Sequence, residues 1–263
     1  MQIVHPDASY NIPIWYHFLQ TFYKKELEQI GLDYPNNHSL YINYSDIKRL
    51  GELGNTLDYE LSEYPVKVFE DIRDVIINYD FIKTKDGTIP QNLNIRFKNL
   101  PEKITIHEIN AENLKKFISV KGLICKITPV CPQITEAVFK CPTGHFTVKK
   151  QNYSKFIEPD HCAMDGCTFK KLELLQKRST FVDCQKIIIK EIPDDIPDGI
   201  ISKPLDVHIT DDITGTVNLG DQIIINGILR TKPFKMDNRR NTNFDFDYFL
   251  EANSIEFIHR NIL

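Results

Sequence analysis

No apolar run in this chain approaches the roughly 18 residues that a membrane-spanning helix needs. Its first ten residues, MQIVHPDASY, lack the cationic start and apolar stretch of a secretory signal. Together these absences predict an intracellular protein of the cytoplasm or nucleoid, with no membrane partner. A basic excess is missing too: 32 Lys and Arg face 36 Asp and Glu, a net charge of -4. Such a chain grips a polyanion only if its cations gather on one surface. Nor is there a GxxxxGK[ST] phosphate loop. The stretch from Gly215 to Gly220 continues as Asp221-Gln222, without the lysine that would meet a nucleotide's phosphates. The sequence therefore predicts no ATP hydrolysis and no enzyme activity for this polypeptide.

What is present includes a cluster of metal-ligand residues in 139–169, FKCPTGHFTVKKQNYSKFIEPDHCAMDGCTF. Cys141-x3-His145 is followed after sixteen residues by Cys162-x4-Cys167. Thiolate and imidazole suit Zn²⁺, and two short pairs on two turns can close one tetrahedron. Turn residues flank both pairs: Pro142, Thr143 and Gly144 in one, Asp165 and Gly166 in the other. The competing reading is four small buried hydrophobes. The surrounding Lys, Asn and Thr make too polar a segment for a core, whereas a metal contributes about 10–16 kcal/mol to small zinc modules. Four protein ligands predict a structural site, because a catalytic zinc keeps a position open. His161 and Cys131 are the substitute ligands. A zinc deaminase is excluded by His145-Phe146-Thr147, which breaks the His-x-Glu pattern. Cys125 in GLICKI and Cys184 in DCQKIII lie in strand-like runs and are expected to be buried.

Periodicity divides the chain. Apolar residues at 14, 18, 22, 23, 27 and 30 predict one helix over 14–30 stopped by Gly31. Ser45-Asp46 is read as the cap of a short second helix. Pro65 opens a third, with Phe69, Ile72, Ile76 and Tyr79 on one face. After the polar turn KTKDG the pattern turns to strands: one beginning at 95–97, a helical turn at 110–116, then FISVKGLICKI with a bend or bulge at Gly122. KLELLQ, DCQKIIIKEI, PLDVHIT and DQIIINGILR follow as further strands. About five strands around an inserted metal module predict a small Greek-key barrel such as an OB-fold, with a β-sandwich as the alternative. A proline-bearing connection at 191–204 is too stiff for a sheet interior. Residues 231–249 read as a ribbon whose Lys232, Lys235, Arg239 and Arg240 suit phosphate contact.

Taken together, residues 114–230 resemble the N-terminal domain of the minichromosome maintenance (MCM) replicative DNA helicase in its archaeal form. LKKFISVKGLICKITPVCPQITEAVFKC is similar to that family's first barrel strand and entry to its zinc module. The segment from FKKLELLQ to DVHITDD is similar to the exit, and LGDQIIINGILR to the family's PGD-x-V-x-V-x-G-x-L-R close. The resemblance implies a mixed, mainly β protein: a helical bundle at 1–88, an OB-fold barrel at 89–135 and 178–260 carrying the 231–249 hairpin, and a zinc-binding module at 136–177. It further implies a homo-oligomer, a hexamer or double hexamer, that encircles single- or double-stranded DNA, and a C-terminal AAA+ motor in the full-length chain. Lys126 then stands at the basic end of the first barrel strand, with Lys186, Lys190 and Lys203 as further DNA contacts. Lys203-Pro204 departs from the family's order of proline then arginine, and Cys-x3-His departs from the commoner Cys-x2-Cys. The alternative function is a stand-alone OB-fold single-stranded-DNA-binding protein with a structural zinc.

Overall fold

The computed structural model describes residues 12–88, 90, 92–151, 156–193, 196, 203–233 and 246–260. It holds a helical layer, a small parallel sheet, a five-stranded barrel and an arm projecting from the barrel.

The helical layer comprises α1 (Ile12–Phe22), α2 (Lys24–Asp33), α3 (Tyr44–Lys48), α4 (Glu52–Glu63) and α5 (Pro65–Asn78). The first helix expected from sequence is two, broken at Tyr23. Its hydroxyl donates to Asp46 Oδ2 at 2.7 Å and accepts from the Asn43 backbone N–H at 2.7 Å. These bonds hold Tyr23 in a non-helical conformation, and burial together with the bond to Asp46 pushes its phenol well above the ordinary value, against the pull of the Asn43 N–H. Gly31 does not stop the helix. It sits within α2 because a Cβ there would lie 2.6 Å from the Lys83 carbonyl oxygen. Asn43, not Ser45-Asp46, caps α3, accepting from Ser45 N at 3.1 Å. Pro65 opens α5 as expected, but the buried face is Val68, Ile72, Val75 and Ile76, and Tyr79 is half exposed.

Within the stretch read as helical, β1 (Ser39–Asn43) pairs in parallel with β2 (Asn94–Lys98). The strand expected at 95–97 therefore belongs to this small sheet and not to the barrel. Barrel strands are β3 (Phe117–Ile127), β7 (Thr180–Lys190), β8 (Leu205–Thr210), β9 (Gln222–Pro233) and β10 (Phe246–His259). They hydrogen-bond in the order β3-β9-β10-β8-β7, and β7 returns to β3. Closure removes both sheet edges, and the parallel β8–β10 pair among otherwise antiparallel neighbours gives the OB-fold topology. Alternation sends Val120, Ile124, Ile187, Ile189, Val207, Ile209, Ile225 and Leu250 into one core.

Gly122 lies where β3 leaves β9 for β7. A Cβ there would sit 3.0 Å from Ile189 Cδ1 and 3.1 Å from the Lys190 carbonyl oxygen. The bulge itself falls between Ile124 and Lys126; Cys125 follows the core residue Ile124 on the outer side of the strand and is exposed instead of buried, its thiol donating to Ile188 O at 3.2 Å. Cys184 is buried as expected.

The arm leaves the barrel between its first two strands: β4 (Cys131–Lys140), β5 (Phe146–Lys150) and β6 (Glu173–Leu174). Of KLELLQ only those two residues are strand, because a 3₁₀ turn begins at Gln176. Phe69, Phe97 and Phe117 pack ring against ring at 5.7–6.0 Å, fastening helices and small sheet to the outer face of the barrel. Beside them Asn253, the extra residue of a β10 bulge, donates to Ile95 O at 2.7 Å and accepts from Phe97 N at 2.7 Å.

Candidate metal centre and basic face

At the end of the arm the chain turns twice. Cys141 directly follows β4, and its N–H donates to His145 O at 3.0 Å while Gly144 N–H donates to Cys141 O at 2.9 Å. The second turn is drawn by Cys162 N–H to Phe169 O at 3.0 Å and Cys167 N–H to Met164 O at 3.1 Å. Gly144 (φ 94) and Gly166 (φ 78) take the left-handed backbone that each tight turn requires. Thr147 Oγ1 accepts from Ala163 N–H at 3.0 Å and ties one turn to the other.

The ligand atoms of Cys141, His145, Cys162 and Cys167 lie within 4.8 Å of one another. Cys141 and Cys167 Sγ are 4.0 Å apart, and Cys162 Sγ is 3.9 Å from His145 Nδ1. Two sulfurs on one tetrahedral zinc, with Zn–S of about 2.3 Å, sit about 3.8 Å apart, so three thiols and an imidazole are already spaced for one ion. Burial pushes the Cys141 thiol up, but hydrogen bonds from Thr143, His145 and Cys162 outweigh it and hold the thiol near 6. Phe169 and His145 hold the Cys167 thiol down, and the sulfur of Cys167 draws His145 up. Cys141 and Cys167 thus favour thiolate, the state that ligates metal, whereas at Cys162 a Met164 backbone bond is outweighed by burial and by bonds to Cys167 and Cys141, which push that thiol up. The substitutes fall away: His161 is exposed, and Cys131 lies at the root of β4 opposite Cys184.

Sequence reasoning missed Thr143. Its hydroxyl lies 2.9 Å from Cys141 Sγ and 3.8 Å from Cys167 Sγ, able to donate to either thiolate. The signal was a hydroxyl inside the Cys-x3-His spacer, easily read as an ordinary turn residue.

The basic residues separate into groups. On β7, Lys186 and Lys190 flank Ile188, which is register partner of Lys126 on β3. Alternation places Lys186 and Lys190 on the outside of the barrel, the β3 bulge between Ile124 and Lys126 brings Lys126 to the same side, and all three are exposed. Lys186 also opposes His208 on β8, which packs 4.6 Å from the Phe249 ring. Burial, then Lys186 and Lys232, push His208 down to about 4, against the pull of Asp206. Lys232 closes this face at the root of the β9–β10 ribbon, opposite Asp247 and ion-paired with Asp206. Lys203 is exposed before Pro204. Lys235, Arg239 and Arg240, together with Phe244 and most of the 191–204 connection, lie outside the described residues.

The MCM OB domain family profile matches residues 105–233. Among curated proteins, the chain is 25% identical over 273 positions to the minichromosome maintenance protein MCM of Saccharolobus solfataricus, covering 97% of this chain and 38% of that protein. It is 29% identical over 198 positions to the DNA replication licensing factor mcm4 of Schizosaccharomyces pombe, covering 71% of this chain and 22% of that protein. The chain thus spans well under half the length of these relatives. The crystal structure of the N-terminal domain of an archaeal MCM superposes with a TM-score of 0.74 at 24% identity, covering 95% of this chain and 99% of that one.

Proposed function

From the premise that this chain carries the OB domain of the MCM family at residues 105–233, we propose that it is the DNA-binding and ring-forming region of a replicative helicase. Six copies surround a channel, the outer barrel face of Lys126, Lys186 and Lys190 with the adjoining ribbon lines that channel, and DNA of either strandedness passes through. ATP turnover belongs to an AAA+ motor segment, since this chain has no phosphate loop.

The observation that carries the reading is the placement of three exposed lysines from two strands on one barrel face. A single copy has a net charge of -4, so one chain is a poor polyanion binder. Copies arranged in a ring raise the local density of cations without changing composition, and binding then follows phosphate number more than base sequence. The metal centre is structural zinc held by Cys141, His145, Cys162 and Cys167. When bound, the ion cross-links two turns that have almost no apolar core of their own.

The test is binding of a fluorescent single-stranded oligonucleotide by wild type and by the Lys126→Ala, Lys186→Ala, Lys190→Ala triple variant, alongside mass in solution. Hexamer mass, a steep salt dependence and about a tenfold or larger loss in the folded variant are expected. Equal affinity at low salt would overturn the channel assignment.

A further inference from the structure

Three cysteines lie outside the metal cluster, and two of them face each other. Cys131, the first residue of β4, is the direct register partner of Cys184 on β7. Directly opposed residues of an antiparallel pair hold their Cα atoms about 4.5–5.5 Å apart and project to the same side. That falls inside the roughly 4.4–6.8 Å that a disulfide spans. Cys131 is exposed and Cys184 is buried beneath it. Cys125 is differently placed: it lies on the β3 bulge with its thiol on Ile188 O.

We infer that Cys131 and Cys184 are a redox site, closing a reversible disulfide that staples the metal arm to the barrel. The co-reactant is a small disulfide of the glutathione class. The exposed Cys131 thiolate attacks one of its sulfurs, breaking that S–S bond, forming a mixed disulfide and releasing one small thiolate that takes up a proton. Cys184 then loses its proton and attacks Cys131 Sγ, releasing the second small thiolate. Two protein thiols thereby give two electrons and two protons to one small disulfide, which leaves as two thiols. Burial raises the Cys184 thiol and keeps it from the small disulfide, so Cys131 is the first to attack, and Cys184 acts only in the second step, when the mixed disulfide lies directly opposite it.

Position gives the bond its consequence. It closes a loop that contains all four metal-cluster residues, at the point where β4 leaves the barrel. The β4–β7 ladder beyond it is interrupted by a bulge between Ile134 and Glu136. Oxidation therefore pins the root of the arm ahead of that bulge.

The experiment uses the metal-loaded chain and oxidised glutathione, followed by alkylation of free thiols, metal quantification and peptide mapping without reduction. Expected are loss of two alkylatable thiols per chain, a Cys131–Cys184 cross-linked peptide, unchanged metal content and full reversal by dithiothreitol. Cys131→Ser, an exposed change compatible with folding, abolishes the cross-link, and Cys125→Ser leaves it intact. Persistence of both thiols, or stopping at the glutathione adduct, overturns the inference. So does a cross-link mapped to Cys141, Cys162 or Cys167 with loss of metal.

Discussion

Lys232 on β9 is ion-paired with Asp206 on β8, and across the ladder it faces Asp247 on β10. The sequence marks it as one more cation of a phosphate-binding ribbon, yet its ammonium is already matched by a carboxylate. Lys186, one strand further on, is exposed and forms no ion pair among the described residues. Lys232→Ala should accordingly change DNA affinity by less than about twofold, while Lys186→Ala costs about threefold to tenfold and lowers the salt slope by about one. Parallel titrations at several salt concentrations decide it. Equal losses would mean that DNA displaces Asp206 from Lys232.

Metal removal separates the arm from the barrel. The buried barrel core from Val120 to Leu250 includes none of the four cluster residues, so the barrel does not need the ion. A chelator should release one zinc per chain and open 141–169 to protease while the β-sheet signal of the barrel persists. Cys162→Ser, a buried ligand, should abolish stoichiometric binding, and His145→Ala should weaken it. Metal-free protein with an equally protected arm would contradict a structural zinc.

The readable parts of this molecule were those written in short-range pattern. Strand periodicity located β3 to the residue and β8 to within one, and ligand spacing located the metal cluster, because both are set by a few neighbouring positions. Less visible were features decided by distant contacts. Tyr23 breaks a helix because of Asp46, twenty-three positions later. Gly31 looks like a helix stop, but the Lys83 carbonyl is what demands it. Strand β1 hides among helices because its partner, β2, lies some fifty residues away. Lys126 would face inward by strand alternation, and the bulge at Cys125 turns it outward.

His208 links stability to pH. Its folded value near 4 lies below the ordinary 6.5, so between these limits the unfolded chain binds a proton that the folded chain refuses. Stability from this group is complete above about pH 6.5 and is lost as pH falls towards 4. Because part of the shift comes from lysines at the surface, about 2 kcal/mol is a reasonable size for the effect. Denaturant midpoints for wild type and His208→Phe, compared across that range, isolate it from the carboxylates. The variant should lose less stability on acidification, and identical slopes would remove His208 as the cause.

Arg96 is the bolt between the small sheet and the barrel. From β2 its Nε and Nη2 reach both oxygens of Asp212, just after β8, and its Nη1 donates to Asn253 O at 2.5 Å. Around it Asn94 Nδ2 donates to Asp211 Oδ2 at 2.8 Å, and His38 Nε2 lies 3.0 Å from the same oxygen. Arg96 itself is almost fully buried, while Asp212 keeps contact with water. Arg96→Ala should therefore cost about 2–4 kcal/mol, somewhat below the cost of orphaning a fully buried charge. Arg96→Lys should recover only part of that, since one ammonium cannot serve a carboxylate fork and a carbonyl in the geometry a guanidinium offers. Adding Asp212→Ala to Arg96→Ala should restore some stability by removing the stranded carboxylate. Denaturant unfolding of the four proteins measures each term, with Lys98→Ala on the same strand as the surface reference. If Arg96→Ala proves as mild as Lys98→Ala, the aromatic contacts of Phe69, Phe97 and Phe117 hold the junction without it.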